Sequence, residues 1–547
     1  MRFVKTLVIG FSIIALIGWV GRYWWPRGVP ETHDGQIHIA RTVNYYLALR
    51  EGQIPPRWAP NLNAGFGYPV LNFNYPLANL LAVPLLGTGF SPQIVFKLEV
   101  IVALSTGMIG IWLFLKRLFG GWSAWVGTML YGLAPYLAVD MYVRGSIGEV
   151  MSYALLPWIL YMVDVQIRTP SVRLSRILAV FSGLFLISHN MTALLGSLFI
   201  LGYIISGYDL KKLSRIVLPL GLGILLSTFF WLPAILEKQF IVVDASPLTQ
   251  DYYRHFPTLG QLIYSGWGYG ISYEGPVDGF TFQIGWSFWL LVVLGTWLVF
   301  RWRRKWKGSL YVLGTFWLAV FLMLPISKPL WRLPVLTYLQ FPWRLLFFTS
   351  FSSVLVVSWV IKSLPRYAFW LGGGVVIVQL LSLMTFSGPK FDFPREYWFS
   401  YPHSGSTANE NDPIWFRRDE AFAWFSQRGN PSVAMEGVGQ INIEKWNGSR
   451  REYLIETTEP NRVVERTMYF PGWETYVDGK KVELKNNAKD MFGLINFKVP
   501  AGEHVVRTRF TQRTLPRIIG NSLTLTGVIA IFFYGRLTFY VSKTRVS

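Results

Sequence analysis

Residues 93–115 read QIVFKLEVIVALSTGMIGIWLFL, and the chain continues with Lys116-Arg117. A helix needs about 20 predominantly apolar residues to cross a hydrocarbon layer about 30 Å thick. This stretch supplies them and ends on a basic pair. Working outward, comparable stretches lie at 6–24, 121–139, 150–167, 175–188, 190–207, 214–232, 283–300, 309–325, 341–361, 368–386 and 515–535, about twelve spans in all. Composition agrees: the 547 residues are 52% hydrophobic and only 15% charged, with mean hydropathy +0.35. A disordered or collagen-like chain is excluded, and a soluble globular one is disfavoured. The 51 basic and 30 acidic side chains leave a net +21. On so lightly charged a chain that excess reads as cytoplasm-facing loops, with no nucleic-acid partner expected. The 25 Trp and 27 Tyr suit a membrane–water boundary.

Sidedness follows from the basic residues between spans. Alternate connections carry Lys116-Arg117, Arg168 with Arg173 and Arg176, Lys211-Lys212 with Arg215, Arg301 to Lys307, and Lys362 with Arg366. Arg2 and Lys5 at one end, and Arg536, Lys543 and Arg545 at the other, share their side. One assignment puts all of them in the cytoplasm, with both termini inside and the first span an uncleaved anchor. It requires residues 75–90 to lie along the outer surface. The long connections 25–92, 233–282 and 387–514 then fall outside, so any chemistry is external, where a lipid-linked donor is the natural activated substrate. The expected organisation is a membrane domain over 1–387 with its first outer loop at 25–92, a β-rich outer domain over 388–514, and a final span with a cytoplasmic tail over 515–547.

The outer domain is read from alternation. Runs at 451–457, 463–469 and 504–510 alternate as strands do, and Asp478-Gly479 is a hairpin signal between strand-like flanks. A small antiparallel β-sandwich is expected, either a structural lid or a glycan-binding surface using Trp446, Trp473 or Tyr469. Cysteine is absent, which removes disulfides and thiolate chemistry, and no GxxxxGK[ST] or HExxH motif occurs.

Ionisable residues avoid the span centres and gather at the outer ends, a pattern unlike an ion-coupled transporter. The first outer loop begins Glu31-Thr32-His33-Asp34-Gly35-Gln36-Ile37-His38, and Thr32 can cap a helix there. On that helix Asp34, His38, Arg41 and Tyr45 form a polar stripe, and Ile37, Ala40, Val43 and Leu47 an apolar one suited to lying on the membrane. A carboxylate held there serves as general base toward a hydroxyl, or simply as a helix-start residue. Arg57-Trp58-Ala59-Pro60, Gly65-Phe66-Gly67-Tyr68-Pro69 and Asn72-Phe73-Asn74-Tyr75-Pro76 suggest a fixed-shape loop with exposed rings. Asp140, Arg144 and Glu149 lie in the next outer connection, where Arg144 with Glu149 reads equally as a buried structural pair. Ser188-His189-Asn190 forms a polar corner. Phe341-Pro342-Trp343-Arg344 places a guanidinium at headgroup depth, suited to a phosphate or to snorkelling.

Those strings, with Tyr142-Val143-Arg144-Gly145 and Tyr469-Phe470-Pro471-Gly472-Trp473, resemble in order and spacing the GT-C membrane glycosyltransferases. Among them the chain is most similar to the bacterial group labelled 6-pyruvoyl-tetrahydropterin synthase-related membrane proteins. The resemblance implies a polytopic α-helical membrane protein with an extracytoplasmic β domain. It also implies sugar transfer from a polyprenyl-phosphate carrier to a glycan, lipid or protein acceptor, with Asp34 at the family's catalytic acidic position. Asp34 lacks the paired DxD pattern of metal-dependent members, being followed by Gly35-Gln36. Glu31, Asp140 or Glu149 can supply a second carboxylate, which leaves a divalent cation, Mg or Mn, open. The expected roles are Asp34 as base, Arg344 with Arg144 or Arg57 on the phosphate, His38 orienting Asp34, and Glu149 positioning Arg144. His33, Asp140 and His189 stand as supporting residues. A lipid or polysaccharide flippase and a non-enzymatic scaffold of envelope assembly are the rival readings.

Overall fold

The computed structural model describes residues 2–303, 305–383, 388–484 and 491–534. Each of the apolar stretches contains a helix: Arg2–Val20, Pro92–Phe119, Gly121–Gly132, Ile147–Arg168, Val172–Leu186, Asn190–Gly207, Ser214–Glu237, Trp286–Arg301, Ser309–Met323, Leu346–Ser363, Ala368–Leu383 and Leu515–Phe532. Length and apolarity together qualify 6 of the described helices as membrane-crossing, or 7 when Ser309–Met323 is counted with Pro325–Arg332, to which it is bent by 92°. A count of about twelve is not confirmed by length and apolarity alone. Pro135 is one cause, since it ends the Gly121–Gly132 helix and starts the short Pro135–Val139 turn. The 75–90 stretch forms the helix Leu77–Gly87, 11 residues and so roughly 16 Å long, about half a hydrocarbon layer. The basic tail at 536–547 lies outside the described residues.

Packing sorts the helices into centre and rim. Pro92–Phe119 lies along Ile147–Arg168 and Gly121–Gly132, and Leu515–Phe532 lies along Ser214–Glu237, which packs in turn on Val172–Leu186. The segment Pro342–Ser363 is enclosed, with 94% of its apolar window buried, whereas Leu515–Phe532 has 17% buried. The first is the hub that other helices pack around, and the second is a peripheral strut.

The C-terminal β-rich region holds two antiparallel sheets. One has five strands, in the order Gln440–Trp446, Arg450–Thr457, Gly502–Phe510, Trp473–Val477, Lys480–Val482. The other has three, Val433–Met435, Asn461–Met468 and Leu494–Val499. Tyr453, Ile455, Val477 and Val506 from the first meet Val433, Val463, Phe497 and Val499 from the second in one apolar core. That arrangement is a sandwich. Asp478 (φ 51°) and Gly479 (φ 77°) make the two-residue hairpin with both residues left-handed, as a type I′ turn requires.

The long loop at 25–92 is the bed on which this region rests. Ala59 and Tyr68 pair as an antiparallel bridge, Trp58 packs edge-on against Trp473 at 5.5 Å, and the Phe66 carbonyl accepts the Met468 amide. Trp58, Phe66, Tyr68 and Phe73 are buried, so the expected display of exposed rings is overturned. These rings are spent on seating the β sheets. Gly67 (φ 74°) is required there, because a Cβ on it would stand 2.4 Å from the Trp58 ring. The apolar stripe of Gly35–Arg50 is corrected likewise: Ala40 and Val43 are enclosed by protein rather than laid on lipid. A two-residue ladder of Val29–Pro30 with Lys390–Phe391 closes the loop onto the start of the outer region.

Candidate functional site

Asp34 stands at the entrance of the Gly35–Arg50 helix (φ −114°, ψ −5°), and its side chain makes no capping bond. Thr32 takes the local turn instead, its Oγ1 accepting from the Gly35 amide at 3.1 Å. The Asp34 carboxylate, half-buried, therefore owes nothing to its own helix. The only side-chain donor reaching it among the described residues is Thr407, whose Oγ1 lies 3.3 Å from Oδ1. The backbone fixes its place: the amides of His33 and Asp34 donate to the carbonyls of Val143 (2.9 Å) and Arg144 (2.8 Å). This joins the 25–92 loop to a second one.

The second loop is a π turn, Asp140–Arg144, ended by Gly145 in the left-handed region (φ 66°). π turns inside helices recur at functional sites because the extra residue redirects side chains. Here the turn aims Arg144 back at two carboxylates. Its Nη1 donates to Asp140 and to the Tyr136 hydroxyl (3.0 Å), its Nη2 to Glu149 at 2.8 Å, and Tyr136 donates to the other Glu149 oxygen at 2.7 Å. Asp140, Arg144 and Glu149 are all buried. Arg144 is thus engaged on two sides, which fits positioning rather than gripping a ligand. Asp140 and Glu149 are bridged by the Arg144 guanidinium, and among the described residues no group of three or more His, Asp or Glu is disposed to hold a metal ion. No step is routed through a cation.

Arg344 comes from the other side of the fold. It follows Pro342 at the start of the enclosed helix, its Nε 3.5 Å from Glu149 Oε1. Nη1 donates to the Leu339 carbonyl and to Gln340, both at 3.0 Å. Nε is buried and makes no hydrogen bond among the described residues. The Trp343 ring stacks on Phe341 at 4.9 Å and carries the Arg144 guanidinium at 4.9 Å. It forms an aromatic wall beside the two arginines.

Two residues with no acid–base signal in the sequence complete the cluster. Tyr75 lies 4.8 Å from the His189 ring and places its hydroxyl 3.4 Å from His38 Nε2. A Cβ on Gly148 would stand 2.2 Å from the Tyr75 ring, so only glycine admits that ring. Tyr136 bridges Arg144 and Glu149. Both escape a reading that looks for charge, since only the folded chain turns their hydroxyls inward.

The expected histidine roles come out differently. His38 faces Tyr75 rather than the Asp34 carboxylate. Burial first, and then Arg41, His189 and Arg144, hold its imidazole well below the usual range, so it is neutral at neutral pH. His33 is exposed and turns to the Gly270 carbonyl at 3.0 Å, pinning the 264–283 loop over the site. His189 Nδ1 accepts from the Thr192 amide (3.3 Å), which leaves the proton on Nε2, 3.7 Å from Glu149.

Arg57 is not brought to this cluster. It donates to Gln512 (2.7 Å), Asn72 (2.9 Å), the Phe229 carbonyl (2.8 Å) and Asn521 (3.2 Å), beside the buried pair Arg517–Glu237 at 2.9 Å. It ties the first loop to two helices, apart from the cluster around Asp34.

Comparison with known proteins follows from this geometry. No curated protein matches the chain. Among solved structures, it is similar to the arabinofuranosyltransferase AftD from Mycobacteria, at 15% identity over 78% of this chain and 30% of that one, with a TM-score of 0.46. It is also similar to ArnT from Cupriavidus metallidurans bound to undecaprenyl phosphate, at 14% identity over 76% of this chain and 70% of that one, with a TM-score of 0.42. The chain thus spans under a third of the arabinofuranosyltransferase's length. Residues 71–387, more than half of the sequence, match the 6-pyruvoyl-tetrahydropterin synthase related domain of membrane proteins, and the chain belongs to that family.

Proposed function

We propose that this protein is a membrane glycosyltransferase. It transfers a sugar from a polyprenyl-phosphate donor to an acceptor hydroxyl at the outer face of the cytoplasmic membrane. One observation carries the reading: a carboxylate free of its own helix, Asp34, is held by its backbone on Arg144, in the same cluster as Arg344, whose Nε lies 3.5 Å from Glu149. The two groups complement the two ends of a glycosyl transfer. Asp34 takes the proton of the acceptor hydroxyl as its oxygen attacks the anomeric carbon. The bond from that carbon to the phosphate oxygen breaks with inversion, and the departing polyprenyl phosphate keeps the electron pair. Arg344 stabilises the charge that develops there, where a preorganised guanidinium acts without reorganisation. Glu149 holds Arg144 and Arg344 in register, and Trp343 walls the cluster.

The test uses the detergent-purified protein. Asp34→Asn should lower transfer roughly 10²–10⁴-fold while donor binding persists. In native mass spectrometry a polyprenyl-phosphate monosaccharide should accompany the wild type and be lost from Arg344→Ala. Full activity in Asp34→Asn removes the base assignment. Bulk phospholipid alone on both proteins counts against the donor and favours a flippase or scaffold.

A further inference from the structure

A second cavity, of about 480 Å³, opens at the seam between the first outer loop and the β sheets, and it shares no residue with the cluster around Asp34. That volume lies within the range of about 300–1,000 Å³ typical of small-molecule sites. Ala64 and Phe66 form its loop side, and Phe422, Ala423 and Ser426 of the Arg418–Ser426 helix form the other. Phe422 is stacked on Phe66 at 4.6 Å and stays partly exposed, giving the cavity an apolar floor.

Arg466 is the unusual member. It reaches in from the Asn461–Met468 strand, and its Nη1 donates to the Asn430 carbonyl at 2.6 Å. Its Nε is buried with no hydrogen-bond partner. Burial lowers its pKa, and among the described residues no carboxylate offsets that. Nearby, Arg451 has Glu465, Arg509 has Glu474 and Arg418 has Asp412. A half-buried guanidinium without an anion is costly, and the fold nonetheless presses loop backbone against it: a Cβ on Gly65 would lie 3.2 Å from Nη2. The missing partner is an oxyanion, delivered on something that also covers an aromatic ring.

We propose that this cavity binds a carboxylate-bearing saccharide, its carboxylate held by the Arg466 guanidinium and the apolar face of its ring laid on Phe422. A guanidinium suits a carboxylate through charge-assisted hydrogen bonds, and Ser426 offers a hydroxyl at the rim. The choice of a saccharide rests on the transferase reading above, in which this side of the molecule meets envelope glycans. The site serves to retain an acidic glycan while the chemistry proceeds elsewhere.

Isothermal titration of the full-length protein in nanodiscs tests this with digalacturonate, its neutral counterpart galactobiose, and inorganic phosphate. Digalacturonate should bind the wild type, and the other two should bind at least about 10-fold more weakly. Arg466→Gln should weaken digalacturonate roughly 10- to 100-fold. Ala423→Trp, which fills the cavity and leaves Arg466 in place, should do the same if the arginine variant fails to fold. Asp34→Asn should bind as the wild type does, so loss of transfer and loss of this site are separate results. Absence of wild-type binding, equal binding of galactobiose, phosphate as tight as digalacturonate, or unchanged binding in Ala423→Trp each overturns the proposal.

Discussion

Glu149 carries a disproportionate share of the order in the Asp34 cluster. One carboxylate receives Arg144 and Tyr136 directly and has His189 and Arg344 within 4 Å. Glu149→Gln keeps the shape and removes the charge, leaving buried cations undercompensated. Thermal unfolding in detergent should show a loss of about 3 kcal/mol, against less than about 0.5 kcal/mol for the exposed Glu31→Gln. An unchanged midpoint in Glu149→Gln would mean the cluster is solvated and the cations need no counter-charge. Much of this site was legible: Arg144 with Glu149, His189, Asp34 and Arg344 are all polar groups placed where a membrane protein seldom puts them. His38 was misread for a local reason. A four-residue spacing predicts a shared face only when both residues are helical, and Asp34 is the residue before the helix, with φ −114°. Sequence cannot distinguish a cation awaiting a ligand from one already surrounded by amide and carbonyl oxygens, as Arg57 is.

At the scale of elements, the seat of the β sheets on the first loop depends on a narrow fit. Gly67→Ala forces a Cβ into the Trp58 ring at a left-handed position, with an expected cost of about 2–4 kcal/mol. Limited proteolysis should then cut the 388–414 connection faster. Gly52→Ala (φ 86°, with open space around its Cβ) isolates the backbone strain and should change cleavage far less. Equal cleavage in both would show that Trp58 is free to move. The strands divide along the same physical line. Arg450–Thr457 and Trp473–Val477 alternate between buried and exposed, and could be read. Gln440–Trp446 is exposed or half-exposed throughout, and Leu494–Val499 is buried on nearly every residue. Neither has the two-residue period that marks a half-buried strand, so both escape notice.

For the whole molecule, sidedness is the claim on which the proposed chemistry stands, and a chain without cysteine makes it directly measurable. Single cysteines replacing the exposed Lys480 in the β hairpin and Lys211 between two helices should react oppositely in intact cells. A membrane-impermeant maleimide should label Lys480→Cys from outside and Lys211→Cys only after permeabilisation. The reverse would place the Asp34 cluster in the cytoplasm and remove the case for a lipid-linked donor. Charge parity over many short loops can be summed along the sequence, which is why orientation is predictable at all. The count of spans is less so, because helices broken by proline or shortened below a full crossing look apolar before they look short.

The π turn at Asp140–Arg144 makes the site vulnerable in a way that substitutions do not capture. Its surplus residue sets the direction of Arg144, and each residue of an α-helix turns the next by about 100°. An in-frame loss of a single codon in that turn would let the segment close as ordinary helix and swing the guanidinium off both carboxylates. Most of the fold would survive.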